Sequence, residues 1–127
     1  MYQKLVLIGY LGGDPQMRYS PSGVAVTNFS VATSTSYKKD EEWVNKTTWF
    51  RCSAWGKFAE YLNERLHKGS LVYLEGELVA TERGNPRVYQ TSEGEAASSF
   101  EVKVDTIKLL SKDSHEVEEK EEEPMPF

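Results

Sequence analysis

The chain has one cysteine, two histidines and no excess of basic charge. Cys52 has no partner within the chain, so no disulfide framework holds the fold and nothing points to an oxidising compartment. His67 and His115 lack Cys or His neighbours at ligand spacing, so neither a metal nor a cofactor is expected. No stretch approaches the ~18 to 20 apolar residues that cross a bilayer, and Met1-Tyr2-Gln3-Lys4 has no signal or transit character. A cytoplasmic protein with no membrane partner is the expectation. Gly9, Gly12 and Gly13 precede no helix and form no phosphate-cradling fingerprint. Glu75 and Glu77 share a parity on one strand, but such pairs are ordinarily solvated, so an enzyme is not expected.

The net charge of −5 is unevenly placed. Residues 111–127 hold seven acids and two lysines, and the preceding 110 carry 13 charges of each sign. The sequence thus reads as one neutral domain, residues 1–110, followed by an acidic segment, residues 111–127. Its dense acids and scant apolar content predict disorder, because it cannot bury enough surface to offset ordering entropy.

Within the domain, Leu5 to Leu11 is a continuous apolar run ended by Gly12-Gly13-Asp14-Pro15, the pattern of a buried strand. After a Ser20-Pro21-Ser22-Gly23 turn, Val24 to Tyr37 is a long second strand, with Ala25, Thr27, Phe29, Val31 and Thr33 on one parity. Lys38 to Lys46 is expected to be a charged connection, and Thr47 to Trp55 a third strand. Phe58, Leu62 and Leu66 then recur every four residues, predicting a helix over Lys57 to His67 that ends at Lys68-Gly69. Leu71 to Val79 is a fourth strand, Gly84-Asn85-Pro86 a turn, Val88 to Thr91 a short return strand, Thr91 to Ser99 a loop, and Phe100 to Leu110 the last strand. Five main strands with one helix between the third and fourth predict an all-β fold, the five-stranded OB-fold Greek-key barrel.

The third strand carries the functional signal. Alternation puts Trp49, Arg51, Ser53 and Trp55 on one face and Phe50, Cys52 and Ala54 on the other. The two indoles are six residues apart, or ~20 Å at ~3.3 Å per residue. That is too far for them to stack on each other, but it suits stacking of separate bases along one extended strand. The bland reading, that one or both indoles close the barrel interior, is open on composition alone.

The run Thr48-Trp49-Phe50-Arg51-Cys52-Ser53-Ala54-Trp55-Gly56-Lys57-Phe58-Ala59-Glu60, with Lys68-Gly69-Ser70-Leu71-Val72-Tyr73-Leu74-Glu75-Gly76, resembles the bacterial single-stranded DNA-binding protein family. Leu7-Ile8-Gly9-Tyr10-Leu11-Gly12-Gly13-Asp14-Pro15, Arg18-Tyr19 and Val31-Ala32-Thr33-Ser34 extend the resemblance over about residues 4 to 110. The resemblance implies sequence-tolerant binding of single-stranded DNA, with base stacking on Trp49, Trp55 and Tyr37. A fourth aromatic position falls on Arg83 or Tyr89 depending on the end from which the hairpin is counted, with Tyr89 favoured. Arg18, Arg51 and Lys57 lie inside the matched motifs as phosphate contacts. Lys38, Lys39, Arg83 and Arg87 lie on loops, where they line a groove or are merely solvated. The resemblance also implies a homotetramer and a nucleoid-associated location; the first strand, apolar on both parities from Leu5 to Ile8, is a candidate pairing edge, the alternative being ordinary burial inside the barrel.

The final residues, Glu121-Glu122-Glu123-Pro124-Met125-Pro126-Phe127, resemble the family's acidic Pro-Phe tip, which docks on replication, recombination and repair proteins. Glutamates stand here where the family usually has aspartates. A terminal Phe anchor, an α-carboxylate for an Arg or Lys, and acids that steer toward basic pockets keep the same logic. A different class of reading is also compatible with the barrel: a primosome-type adaptor whose aromatic strand is a protein interface.

Overall fold

The computed structural model describes residues 1–110. The expected acidic disordered segment, including the Pro-Phe tip, lies outside the described residues. The elements are β1 (Leu5–Leu11), β2 (Gln16–Tyr19), β3 (Ala25–Lys39), β4 (Glu42–Trp55), α1 (Lys57–Arg65), β5 (Leu71–Leu78), β6 (Val88–Gln90), β7 (Ala96–Ser98) and β8 (Phe100–Leu109). The sheet runs β1-β5-β8-β4-β3-β2, and β1 also pairs with β3 through Tyr10↔Ala32 and Leu11↔Val31. That last pairing closes β1, β5, β8, β4 and β3 into the five-stranded barrel expected from the sequence. Pairing is antiparallel except between β4 and β8, and α1 joins β4 to β5.

Alternation places Leu7, Leu11, Phe29, Val31, Cys52, Ala54, Val72, Leu74, Val102 and Val104 in the core, closed from below by Leu62 and Leu66 near the helix. Barrel closure brings backbones so near that a Cβ on Gly9 would overlap the Ala32 carbonyl and crowd Val31 Cγ1, so only glycine fits there. Gly56 starts the helix at φ 76°, in a region that suits glycine, and Thr27 Oγ1 donates to the Ala59 carbonyl at 2.6 Å in the buried seam beneath it. Burial pushes the Cys52 thiol up to about 12, so it stays protonated and serves as a small apolar filler.

Five local readings change. The run Leu5 to Leu11 is buried on one face only, because a barrel strand has one side toward the core, while Val6, Ile8 and Tyr10 are about half exposed on the other. The charged stretch Lys38 to Lys46 is no connection. β3 and β4 pair without interruption out to Lys39↔Glu42, and Asp40 and Glu41, at φ 51° and 67°, make a two-residue hairpin turn with both residues left-handed. The helix stops at Arg65, and Leu66 packs into the core from an extended backbone. Thr91 to Ser99 contains the returning strand β7, whose Ala97 pairs with Tyr89 in a small separate hairpin. The segment around Arg18 is itself a strand, β2, lying against β3.

Candidate nucleic-acid interface

A groove of about 1200 Å³ crosses the outer face of β2, β3, β4 and β8. Its floor follows from the register. Arg18, Val26 and Trp55 form one row across three strands. Gln16, Asn28, Ser53 and Lys103 form the next, then Ser30, Arg51 and Glu101, then Ala32 and Trp49. Polar and charged side chains thus lie between two large indoles. Trp49 and Trp55 are 51% and 48% exposed, whereas Cys52 and Ala54 between them on the strand are buried. An indole half in water on a sheet face is costly for a fold to carry unless something binds it. Trp49 lies over Gly12, where a Cβ would overlap the ring, so this glycine sets how deeply the indole sits.

The groove lining includes Arg18, Arg51, Arg87 and Lys103 against Asp14 and Glu101. Arg87 is already engaged: its Nε and Nη2 donate to the two Glu101 carboxylate oxygens at 3.0 and 3.1 Å, and its guanidinium lies 5.4 Å from the centre of the Tyr89 ring. The Glu101 carboxylate holds the Arg87 guanidinium protonated more firmly than usual. Asp14 Oδ1 accepts from the Lys68 backbone amide and fastens the β1–β2 loop to the end of the helix region.

Of the residues singled out from sequence, Trp49, Trp55, Arg18, Arg51 and Arg87 meet in this groove. Lys57 is exposed at the helix start and Arg83 in the turn before β6, and neither lines it. Tyr89 is half-buried on the β6–β7 hairpin beside Arg87. Tyr37 is 46% exposed on the hairpin arm and pairs with Val44, on the parity opposite that of Trp49. Lys103, Met17 and Tyr19 line the groove without having been singled out. Lys103 arrives through the parallel β4–β8 pairing, for which local sequence carries no signal. Met17 and Tyr19 have the strand parity opposite to that of Arg18, so alternation alone would have kept them off its face.

A second polar cluster lies on the opposite side of the barrel. Glu75 accepts from the Tyr73 hydroxyl and from Lys4 Nζ, the latter at 3.0 Å. These bonds hold the Glu75 carboxyl below its ordinary range and push Lys4 up to about 12. The cluster ties β1's start to β5 across the β1–β5 seam. No helix among the described residues is long and apolar enough to cross a membrane.

Known proteins match this arrangement. The profile described as "Single-strand binding protein family" matches residues 2–110. Single-stranded DNA-binding proteins of Neisseria meningitidis serogroups A and B are each 39% identical over 108 residues, which cover 84% of this chain and 59% of theirs. A crystal structure of a deletion mutant of the single-stranded DNA binding protein from Thermus aquaticus aligns with a TM-score of 0.64 at 27% identity, covering 85% of this chain and 50% of that one. The chain therefore spans about three fifths of the length of the curated relatives it matches.

Proposed function

Given that the chain belongs to the single-strand binding protein family, we propose that it binds and protects single-stranded DNA with little sequence preference. The observation that carries this reading is the pair of half-exposed indoles, Trp49 and Trp55, set in one groove with Arg18 and Arg51. Bases stack on the indoles at ~1 to 3 kcal/mol each, and every base offers a π-face, so the contact is sequence-tolerant. Arg18, Arg51 and Lys103 meet phosphates, and Arg87 joins them by exchanging Glu101 for the backbone of the nucleic acid. Tyr37 and Tyr89 contact the strand outside the groove. Lys57 and Arg83 add positive charge at its margins. A neutral domain binds by a local stripe plus stacking, so salt weakens the complex without abolishing it.

Residues 1–110 are the DNA-binding domain in this reading, and residues 111–127 the recruiting segment for replication, recombination and repair proteins, through Glu121 to Phe127. The protein works as a homotetramer in the cytoplasm, on the nucleoid. The apolar face Val6, Ile8 and Tyr10, with the β1 edge that pairs with β3 only at Tyr10 and Leu11, supports self-association. Several barrels on one strand raise avidity through effective concentration.

Tryptophan fluorescence during titration with long oligo-dT, at low and moderate salt beside a duplex control, tests the reading. Strong quenching by the single strand alone is expected, and W49A and W55A each weaken binding about tenfold. A chain cut before Glu121 keeps full oligo-dT affinity and loses its repair-protein partners. Unchanged oligo-dT affinity in W49A/W55A, together with loss of a protein partner, would overturn DNA binding in favour of an adaptor.

A further inference from the structure

The hairpin formed by the outer halves of β3 and β4 carries a third indole that the groove does not use. Trp43 is 73% exposed near the tip of this arm and faces Lys38 across the strand pair. The β3–β4 register is unbroken from Val26↔Trp55 to Lys39↔Glu42. Trp43, Trp49 and Trp55 therefore share one parity at intervals of six residues, ~20 Å each along the strand. The ribbon's right-handed twist makes a path along them curve rather than run straight.

The chemistry of the Trp43 face is selective. Ser34 Oγ and Thr47 Oγ1 are 3.3 Å apart, and Ser36 Oγ donates to Asn45 Oδ1 at 2.7 Å, so these four polar groups share the face with Trp43 and Lys38. The acids lie elsewhere: Asp40 and Glu41 form the turn, and Glu42 pairs with Lys39 on the other face, which also carries Tyr37 and Val44. From Thr47 to the turn, the only charge on the Trp43 face is the cation of Lys38. An indole this exposed buries too little to stabilise the arm, so its exposure is not explained by folding.

We propose that Trp43 and Lys38 form a further base-and-phosphate site that continues the groove along the arm, so that a strand leaving Trp49 stacks one more base on Trp43. This rests on the single-strand reading above and extends it to a surface beyond the barrel. It adds a stacking position on the groove's face of the arm, whereas Tyr37 lies on the other face.

The test uses the full chain with oligo-dT of about five nucleotides, at the low end of the site size of one such barrel, and of about thirty. W43A is expected to weaken the long oligonucleotide about tenfold and leave the short one unchanged, with W43F restoring most of the loss. The emission of the parent minus that of W43A isolates Trp43, and it is quenched by the long oligonucleotide only. Lys38→Ala lowers the slope of log K against log salt by about 0.7. Equal long-oligonucleotide affinity in W43A and parent, with Trp43 emission unmoved, overturns the proposal and leaves the groove intact. Trp43 emission that shifts with protein concentration in the absence of DNA assigns the arm face to a second copy and also overturns it. If the parent binds neither oligonucleotide, the single-strand reading itself falls, and this site with it.

Discussion

The two halves of the β3–β4 hairpin are made from the same pair of strands in one register, and they are stabilised differently. In the inner half, Phe29, Val31, Cys52 and Ala54 are buried while Trp49, Arg51 and Trp55 face outward. In the outer half, Ser34 to Thr47, every residue except the half-buried Val44 is exposed. The inner half is held by packing. The outer half has the ladder, the Ser34–Thr47 and Ser36–Asn45 contacts and little else. Two-stranded ribbons without a core are marginal, so the arm is the first part of the sheet to open. A surface that contributes so little to folding is free to carry exposed aromatic and basic groups, and this difference links the arm's weakness to its proposed use.

The sharpest break of the inner half is at barrel closure. Gly9→Ala puts a Cβ into the Ala32 carbonyl, where both neighbours are backbone or core and cannot yield. It should destabilise the protein by about 3 kcal/mol, read from urea midpoints at one fixed protein concentration. Gly13→Ala, with nothing within 4 Å of its Cβ, is the matched control and should leave the midpoint within about 0.5 kcal/mol of the parent. Equal midpoints for the two variants would contradict the closure.

A matched pair of deletions compares the halves directly. Val31 has no exposed surface, and Val31→Ala should cost about 2 kcal/mol through lost transfer energy and a residual cavity. Val44 lies on the arm outside the core cluster, and Val44→Ala should cost less than about 0.5 kcal/mol. A cost at Val44 near that at Val31 would mean that the arm is packed against something, and would favour a second copy over open solvent.

What the sequence made legible follows the same division. The inner halves of the strands, the helix and the Trp49–Trp55 face could be read because burial imposes a period of two on β4 and of nearly four on α1. The tip of the arm, Lys38 to Lys46, reads as a charged connection for two physical reasons. Neither of its faces is buried, so Thr35 to Lys46 has no apolar alternation to detect. Its turn is Asp40-Glu41, without the glycine that ordinarily marks a left-handed two-residue hairpin. β2 and β7 are four and three residues long, too short for a period to show. Lys103 reaches the groove, and Arg87 pairs with Glu101, only through contacts distant in sequence. The resemblance points to Trp49, Trp55, Arg18 and Arg51, which line the groove, and to Tyr37, which lies on the other face of the arm from Trp43.

The missing glycine gives the smallest predicted effect and the most local one. Glu41 sits at φ 67°, a conformation that costs an L side chain ~1 to 2 kcal/mol, while Asp at position 40 tolerates it better. Glu41→Gly removes that cost but gives back part of it, because glycine loses ~0.5 to 1 kcal/mol more backbone entropy on folding. The net gain should be about 0.5 kcal/mol, expressed as roughly twofold slower hydrogen exchange at arm amides such as those of Thr35 and Val44. The global urea midpoint should hardly move, because the arm opens locally before the barrel unfolds. A gain shared equally by arm and barrel would mean that the two halves unfold as one unit, and that the arm is not the separately mobile surface its exposure implies.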